Sequence, residues 1–119
     1  MFDFEKLEVY NKIRELNKEL LPWIFKNQNK DIYLCDQLKR AGLSAMLNLS
    51  EGAGRMSIQD KKQFYIRARA SVFECVSILH VLSDLGMIEE NYFNSLYNKY
   101  EEISKMLLGM IRNINENLK

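Results

Sequence analysis

One proline and five glycines punctuate 119 residues, and breaks this scarce limit the chain to long regular elements. Between the breaks, apolar residues recur at steps of three and four, which keeps them on one side of a helix. Nothing alternates with period two over a strand's length. The first periodic stretch runs from about Phe4 to Lys26 through Leu7, Tyr10, Ile13, Leu16, Leu20 and Ile24. Pro22 is expected to bend or end it, because proline removes a hydrogen bond and crowds the preceding turn. A polar break follows, and Asp31 is placed to cap the next helix.

Helix two covers about Ile32 to Gly52, with a core face of Leu34, Leu38, Ala41, Ala45 and Leu49. Gly52-Ala53-Gly54 reads as its end, closed by a glycine in the left-handed conformation. Ser57 and Asp60 resemble a capping box ahead of helix three, which extends to about Leu85. Its expected seam is Phe64, Ala68, Ser71, Cys75, Ile78, Leu82 and Leu85. Gly86 stops it, and Glu89-Glu90 open helix four, where negative charge suits the macrodipole. Helix four carries Phe93, Leu96, Tyr100, Ile103, Leu107, Met110 and Ile114 on one seam. The simplest fold is all-α: one domain over residues 1–119, an antiparallel up-down-up-down four-helix bundle.

Composition narrows the function. Hydrophobic residues at 47% and charged residues at 28% describe an ordinary globular chain rather than a disordered one. The acidic start lacks the pattern of a signal peptide, and no stretch is apolar enough to span a membrane, so a cytoplasmic location is expected. Cys35 and Cys75 stand alone, which suggests buried thiols and neither disulfide nor metal site. Asn48-Leu49-Ser50 matches a glycosylation acceptor that carries no meaning without a secretory signal.

Catalysis is hard to assemble from these residues. His80 is the only histidine, sits among Leu79, Val81 and Leu82, and has no positioned nucleophile beside it. Glu-x-x-His pairs of di-iron bundles are missing. Gly52-Ala53-Gly54-Arg55-Met56-Ser57 follows a helix instead of a strand and reads as a helix–helix turn, not a nucleotide loop. No enzyme, cofactor or metal is expected.

The unusual feature is a polar stripe on helix two: Gln37, Arg40, Ser44, Asn48, Glu51 and Arg55, expected to lie partly buried. Helix three has a matching stripe in Gln63, Arg67, Glu74 and Ser77, with Arg69 nearby. A hairpin turning near Met56 sets Arg40 opposite Glu74 as an ion pair and Ser44 opposite the Arg67–Arg69 region. Three readings follow. Gln37, Arg40, Ser44, Asn48, Glu51 and Glu74 form a polar network inside the bundle, or they form a subunit interface. Alternatively Lys39, Arg40, Arg55, Lys61, Lys62, Arg67 and Arg69 contact the phosphates of nucleic acid. Residues 36–80 carry a net charge of +3 against −2 for the remainder, a mild asymmetry in favour of that last reading. Tyr92, Phe93, Tyr97 and Tyr100 read as a core stripe with exposed tyrosine edges before they read as a base-stacking platform. Trp23, Ile24 and Phe25 beside Pro22 suggest a sticky end.

Asp36-Gln37-Leu38-Lys39-Arg40-Ala41-Gly42-Leu43-Ser44, Asn48-Leu49-Ser50-Glu51-Gly52-Ala53-Gly54-Arg55, Phe64, and Ala68-Arg69-Ala70-Ser71 with Glu74 follow one pattern. It resembles the four-helix-bundle proteins encoded by intervening sequences in bacterial 23S rRNA genes. Lys39 stands where arginine is common, Gly42 and Ser50 where alanine is, and Ala70 where glycine is. The resemblance implies a ring-like homo-oligomer, a pentamer, with no enzymatic activity. It also implies kinship with the accessory variability determinant of diversity-generating retroelements, which binds a reverse transcriptase and nucleic acid. The expected function is non-enzymatic binding or organisation of RNA or DNA, or of a reverse transcriptase or similar partner. The alternative is an adaptor that binds protein alone.

Overall fold

Two of the helices start where a side chain, Asp31 or Ser57, takes over an orphan backbone donor. In the computed structural model, which describes residues 1–117, a short 3-10 turn at Asp3–Lys6 precedes four helices. These are α1 (Glu8–Asn27), α2 (Ile32–Ala53), α3 (Ile58–Asp84) and α4 (Glu90–Asn117). No strand occurs among the described residues. No helix there is long and apolar enough to cross a membrane.

Helix α1 begins at Glu8 and not Phe4, because Leu7 is extended and the Asn11 amide binds the carbonyls of Glu5 and Leu7. Pro22 does not end it. Both Pro22 and Lys18 face outward, so the Lys18 carbonyl freed by the ring can meet water while Leu20 and Ile24 stay buried. Asp31 accepts from the Leu34 N–H at 2.9 Å, and Ser57 Oγ from the Asp60 N–H at 3.3 Å, as the sequence suggests. The return bond of a capping box is not made, since aspartate is one methylene shorter than glutamate.

The glycine reading of the α2 end needs correction. Gly54 adopts a right-handed φ of −86°, and only Gly86, at +68°, is left-handed. Gly86 closes α3 as a Schellman motif, with Met87 N–H on the Leu82 carbonyl at 2.8 Å and Gly86 N–H on Ser83 at 3.0 Å. Gly52 serves packing instead: a Cβ there would stand 2.8 Å from the Phe64 Cβ.

Ala41, Gly42, Ala45 and Gly52 are all buried in α2, and their small size lets the neighbouring helices come close. The expected faces of α1, α2 and α4 are in the core, with Leu34, Phe93, Met110 and Ile114 only half-buried. On α3 the stripe is rotated to Tyr65, Ala68, Ser71, Val72, Cys75, Leu79 and Leu82. Phe64 and Ile78 are left half-buried and Leu85 exposed, because α3 packs against both α2 and α4 and its buried arc is broader than one seam. Ile24 belongs to the core, whereas Phe25 is exposed and Trp23 lies against Tyr92.

Polar contacts fix how the helices align. Lys61 Nζ meets the Ala53 carbonyl, Ser44 meets Ser71 and Arg40 meets Glu74, so partner numbers on α3 rise as those on α2 fall. Lys12 with Glu102 and Glu19 with Lys99 relate α1 to α4 in the same sense. In the core, buried Asn17 donates to the Gly42 carbonyl at 3.0 Å, tying α1 to α2.

Candidate functional site

The α2–α3 hairpin carries every polar residue the sequence singles out, but in separate places. Arg40 Nη2 lies 2.5 Å from Glu74 Oε2, with Gln37 Oε1 accepting from the same guanidinium. This is the ion pair the register requires. Ser44 Oγ is 2.8 Å from Ser71 Oγ instead of facing Arg67–Arg69, and Asn48 Nδ2 donates to the Ser44 carbonyl and hydroxyl. Gln37, Ser44 and Asn48 are half-buried, whereas Arg40, Glu51, Arg55 and Glu74 are exposed, contrary to a partly buried stripe. Their side chains are long enough to leave the seam and reach water.

The basic residues divide three ways. Arg69 donates to the Ser104 carbonyl at 3.2 Å and lies over Phe73, so it binds α3 to α4. Lys39 sits half-buried above the Phe25 ring, and Arg40 is ion-paired. Both lie ~20 Å along α2 from its end, at 1.5 Å per residue. Lys61 is spent on the last α2 turn, where its ammonium satisfies the Ala53 carbonyl at 3.1 Å. Arg55, Lys62 and Arg67 remain grouped at the turn end of the hairpin.

There the guanidinium carbons of Arg55 and Arg67 lie 4.7 and 5.2 Å from the centre of one ring, Phe64. Arg55 follows α2 directly and is held by its N–H on the Gly52 carbonyl, while Arg67 stands one turn beyond Phe64. No carboxylate pairs with either arginine among the described residues. Phe64 was legible only as a core residue. Its spacing from Arg67 is a usable signal, but the Arg55 contact depends on the turn.

Away from its turn the hairpin exposes apolar surface. Tyr33 and Phe73, 67% and 49% exposed, flank a groove with Gln37, Ala70 and Ser77. Leu43 and Leu47 flank a second with Ser44, Asn48 and Glu51. Ala70 is exposed on this face rather than wedged between helices. His80 is exposed with its ring 5.4 Å from Phe93 and 6.1 Å from Tyr97. Tyr100 is in the core, and its hydroxyl meets no partner in full hydrogen-bond geometry among the described residues. Burial pushes the Cys75 thiol up to about 11, opposed by the neighbouring Tyr100 hydroxyl. Among the described residues no group of three His, Cys, Asp or Glu could hold a metal ion.

The sequence profile of 23S rRNA-intervening sequence proteins matches residues 5–109. The chain belongs to that family. A crystal structure agrees in fold: that of a protein of unknown function from the S23 ribosomal protein family of Bacteroides thetaiotaomicron VPI-5482. It superposes with a TM-score of 0.83 at 24% identity, over 87% of this chain and 97% of that one. No curated protein matches. The match thus extends beyond α2 and α3 to all of α1 and to α4 as far as Gly109.

Proposed function

We propose that this protein is a non-enzymatic, cytoplasmic assembly module that binds nucleic acid. In this reading it is an antiparallel up-down-up-down bundle that closes into a ring-like homo-oligomer, a pentamer by family resemblance. Each subunit offers the basic end of its α2–α3 hairpin to RNA or DNA, or to a protein such as a reverse transcriptase that handles them.

The observation that carries this reading is the α2–α3 hairpin surface, which exposes Tyr33, Leu47 and Phe73 along its length and two arginines without carboxylate partners among the described residues at its turn. Apolar side chains grouped in this way mark a surface that another protein covers. The groove between α1 and α4 carries Glu8, Glu15, Glu19 and Glu102 against Lys12 and Lys99. An acidic face on one side and a basic one on the other favour head-to-tail contact between copies, the kind that closes rings. Ring closure repeats the Arg55–Arg67 end in every subunit, so weak phosphate contacts add through avidity. His80 meets Phe93 at a tilt and Tyr97 edge-on, packing contacts that suit a structural role in this reading.

Filter binding of RNA and DNA at two salt concentrations tests the proposal. Binding that weakens steeply with salt is expected, and no binding at low salt discards it. The internal engagement of Arg40, Lys61 and Arg69 favours a second reading, a purely protein-binding adaptor. Capture of a defined protein partner unaffected by nuclease would select it.

A further inference from the structure

We propose that Arg55, Phe64 and Arg67 form a phosphate clamp, in which one ring holds two guanidiniums ready for a single phosphodiester group. The clamp rests on the nucleic-acid reading above and names the atoms that would perform it.

Two cations within 5.2 Å of one ring centre repel each other, and the ring's negative faces offset part of that repulsion. A carboxylate would complete the balance in an ordinary structural cluster. Glu51 stands one turn before Arg55 and Asp60 one turn before Phe64, yet neither pairs with either arginine among the described residues. Lys61, the other cation of this end, is committed to the Ala53 carbonyl, and half-buried Lys62 adds further positive charge. The site therefore has unmatched positive charge on two planar forks, the geometry that suits bidentate contact with phosphate oxygens.

Phe64 is held by packing: its Cβ abuts Gly52, the residue is half-buried, and both guanidiniums lie within 5.2 Å of its ring centre. Guanidiniums that contact phosphate oxygens hold the backbone and do not read sequence. Free inorganic phosphate presents the same oxygens as a phosphodiester, and the experiment separates these two sources.

Binding of a fluorescein-labelled 12-nucleotide oligouridine is followed by anisotropy across a salt series. Arg55→Gln and Arg67→Gln are each expected to weaken binding about tenfold, the worth of one charged hydrogen-bonding group. Each should also reduce the salt slope by about 0.7, one phosphate contact on a single strand. Phe64→Leu keeps both charges, so its slope should hold while affinity falls about two- to fivefold. Arg14→Gln, on exposed α1, should match the unsubstituted protein. If RNA binds but the two glutamine variants keep the full slope, the clamp is overturned and the nucleic-acid reading stands. If RNA does not bind at low salt, inorganic phosphate is titrated while the Arg55 and Arg67 side-chain N–H signals are followed by NMR. Shifts in both then support a clamp for free phosphate and overturn the nucleic-acid reading; no shift overturns the clamp as well. Both arginines are exposed, so their substitution leaves the fold intact even where Phe64→Leu disturbs it.

Discussion

Gly52 and Phe64 meet so closely that a Cβ on the glycine would stand 2.8 Å from the Cβ of the ring. That contact lets α2 and α3 converge near their turn, and it sets the ring beneath Arg55 and Arg67. Packing and candidate site share one residue. We predict that Gly52→Ala costs about 1–3 kcal/mol, the usual cost of overpacking a close approach. Gly109 is the internal comparison: a Cβ there meets nothing within 4 Å. Gly109→Ala in exposed α4 should stabilise by about 0.5–1 kcal/mol, through helix propensity and lost chain entropy. Urea denaturation of the two variants reads both signs, and a stabilising Gly52→Ala would refute the close approach.

Among the described residues the buried Tyr100 hydroxyl meets no partner in full hydrogen-bond geometry, although the Cys75 thiol is close enough to interact with it. Removing it loses at most that weak thiol contact and spares its desolvation. Tyr100→Phe is therefore expected to leave stability unchanged or raise it by up to about 1 kcal/mol. A clear loss in thermal denaturation would mean that the hydroxyl is satisfied in solution.

Cys75 predicts a pH dependence. Burial raises its thiol from 9.0 to about 11, so the folded state holds the proton more tightly than the unfolded one. The associated stability is present in full below pH 9 and is lost as pH rises through 11. The loss near pH 11 is about 2–3 kcal/mol at 1.36 kcal/mol per unit. Burial moves Tyr100 in the same direction, which extends the decline to higher pH. Urea titrations between pH 8 and 11 should show this fall, and Cys75→Ala should flatten it despite its own cavity.

The Arg40–Glu74 pair should contribute little. Its side chains are 54% and 47% exposed, where water and salt screen the attraction. A double-mutant cycle with Arg40→Ala and Glu74→Ala is expected to give a coupling below about 1 kcal/mol, shrinking with salt. A larger value would place the pair in a drier setting than the isolated chain has, such as a subunit interface.

Where sequence and structure agree, the cause is periodicity or a local cap. Asp31, Ser57 and Gly86 act within four residues of themselves, and the Arg40–Glu74 register follows from a short turn between two uninterrupted helices. Where they differ, the deciding contact is tertiary. The α3 stripe turned from Phe64, Ile78 and Leu85 to Tyr65, Val72 and Leu79 because a second neighbour, α4, claims part of its surface. Gly52 stands at the helix end the sequence suggests and is also a packing notch, which only the position of Phe64 could reveal. Seven basic residues looked like one face. Lys61 and Arg69 are instead drawn to the Ala53 and Ser104 carbonyls, contacts that spacing along one helix does not encode. Exposed Tyr33, Leu47 and Phe73 escaped the polar-stripe reading because hydropathy alone does not distinguish an unburied leucine from a core one.

Sedimentation velocity with a labelled single-stranded RNA measures assembly and nucleic-acid binding at once. A discrete oligomer is expected to carry the RNA at low salt and release it as salt rises, while Leu47→Glu with Phe73→Glu should yield a folded monomer that binds RNA weakly. An unsubstituted protein that sediments as a folded monomer and leaves the RNA unbound at low salt would contradict this expectation.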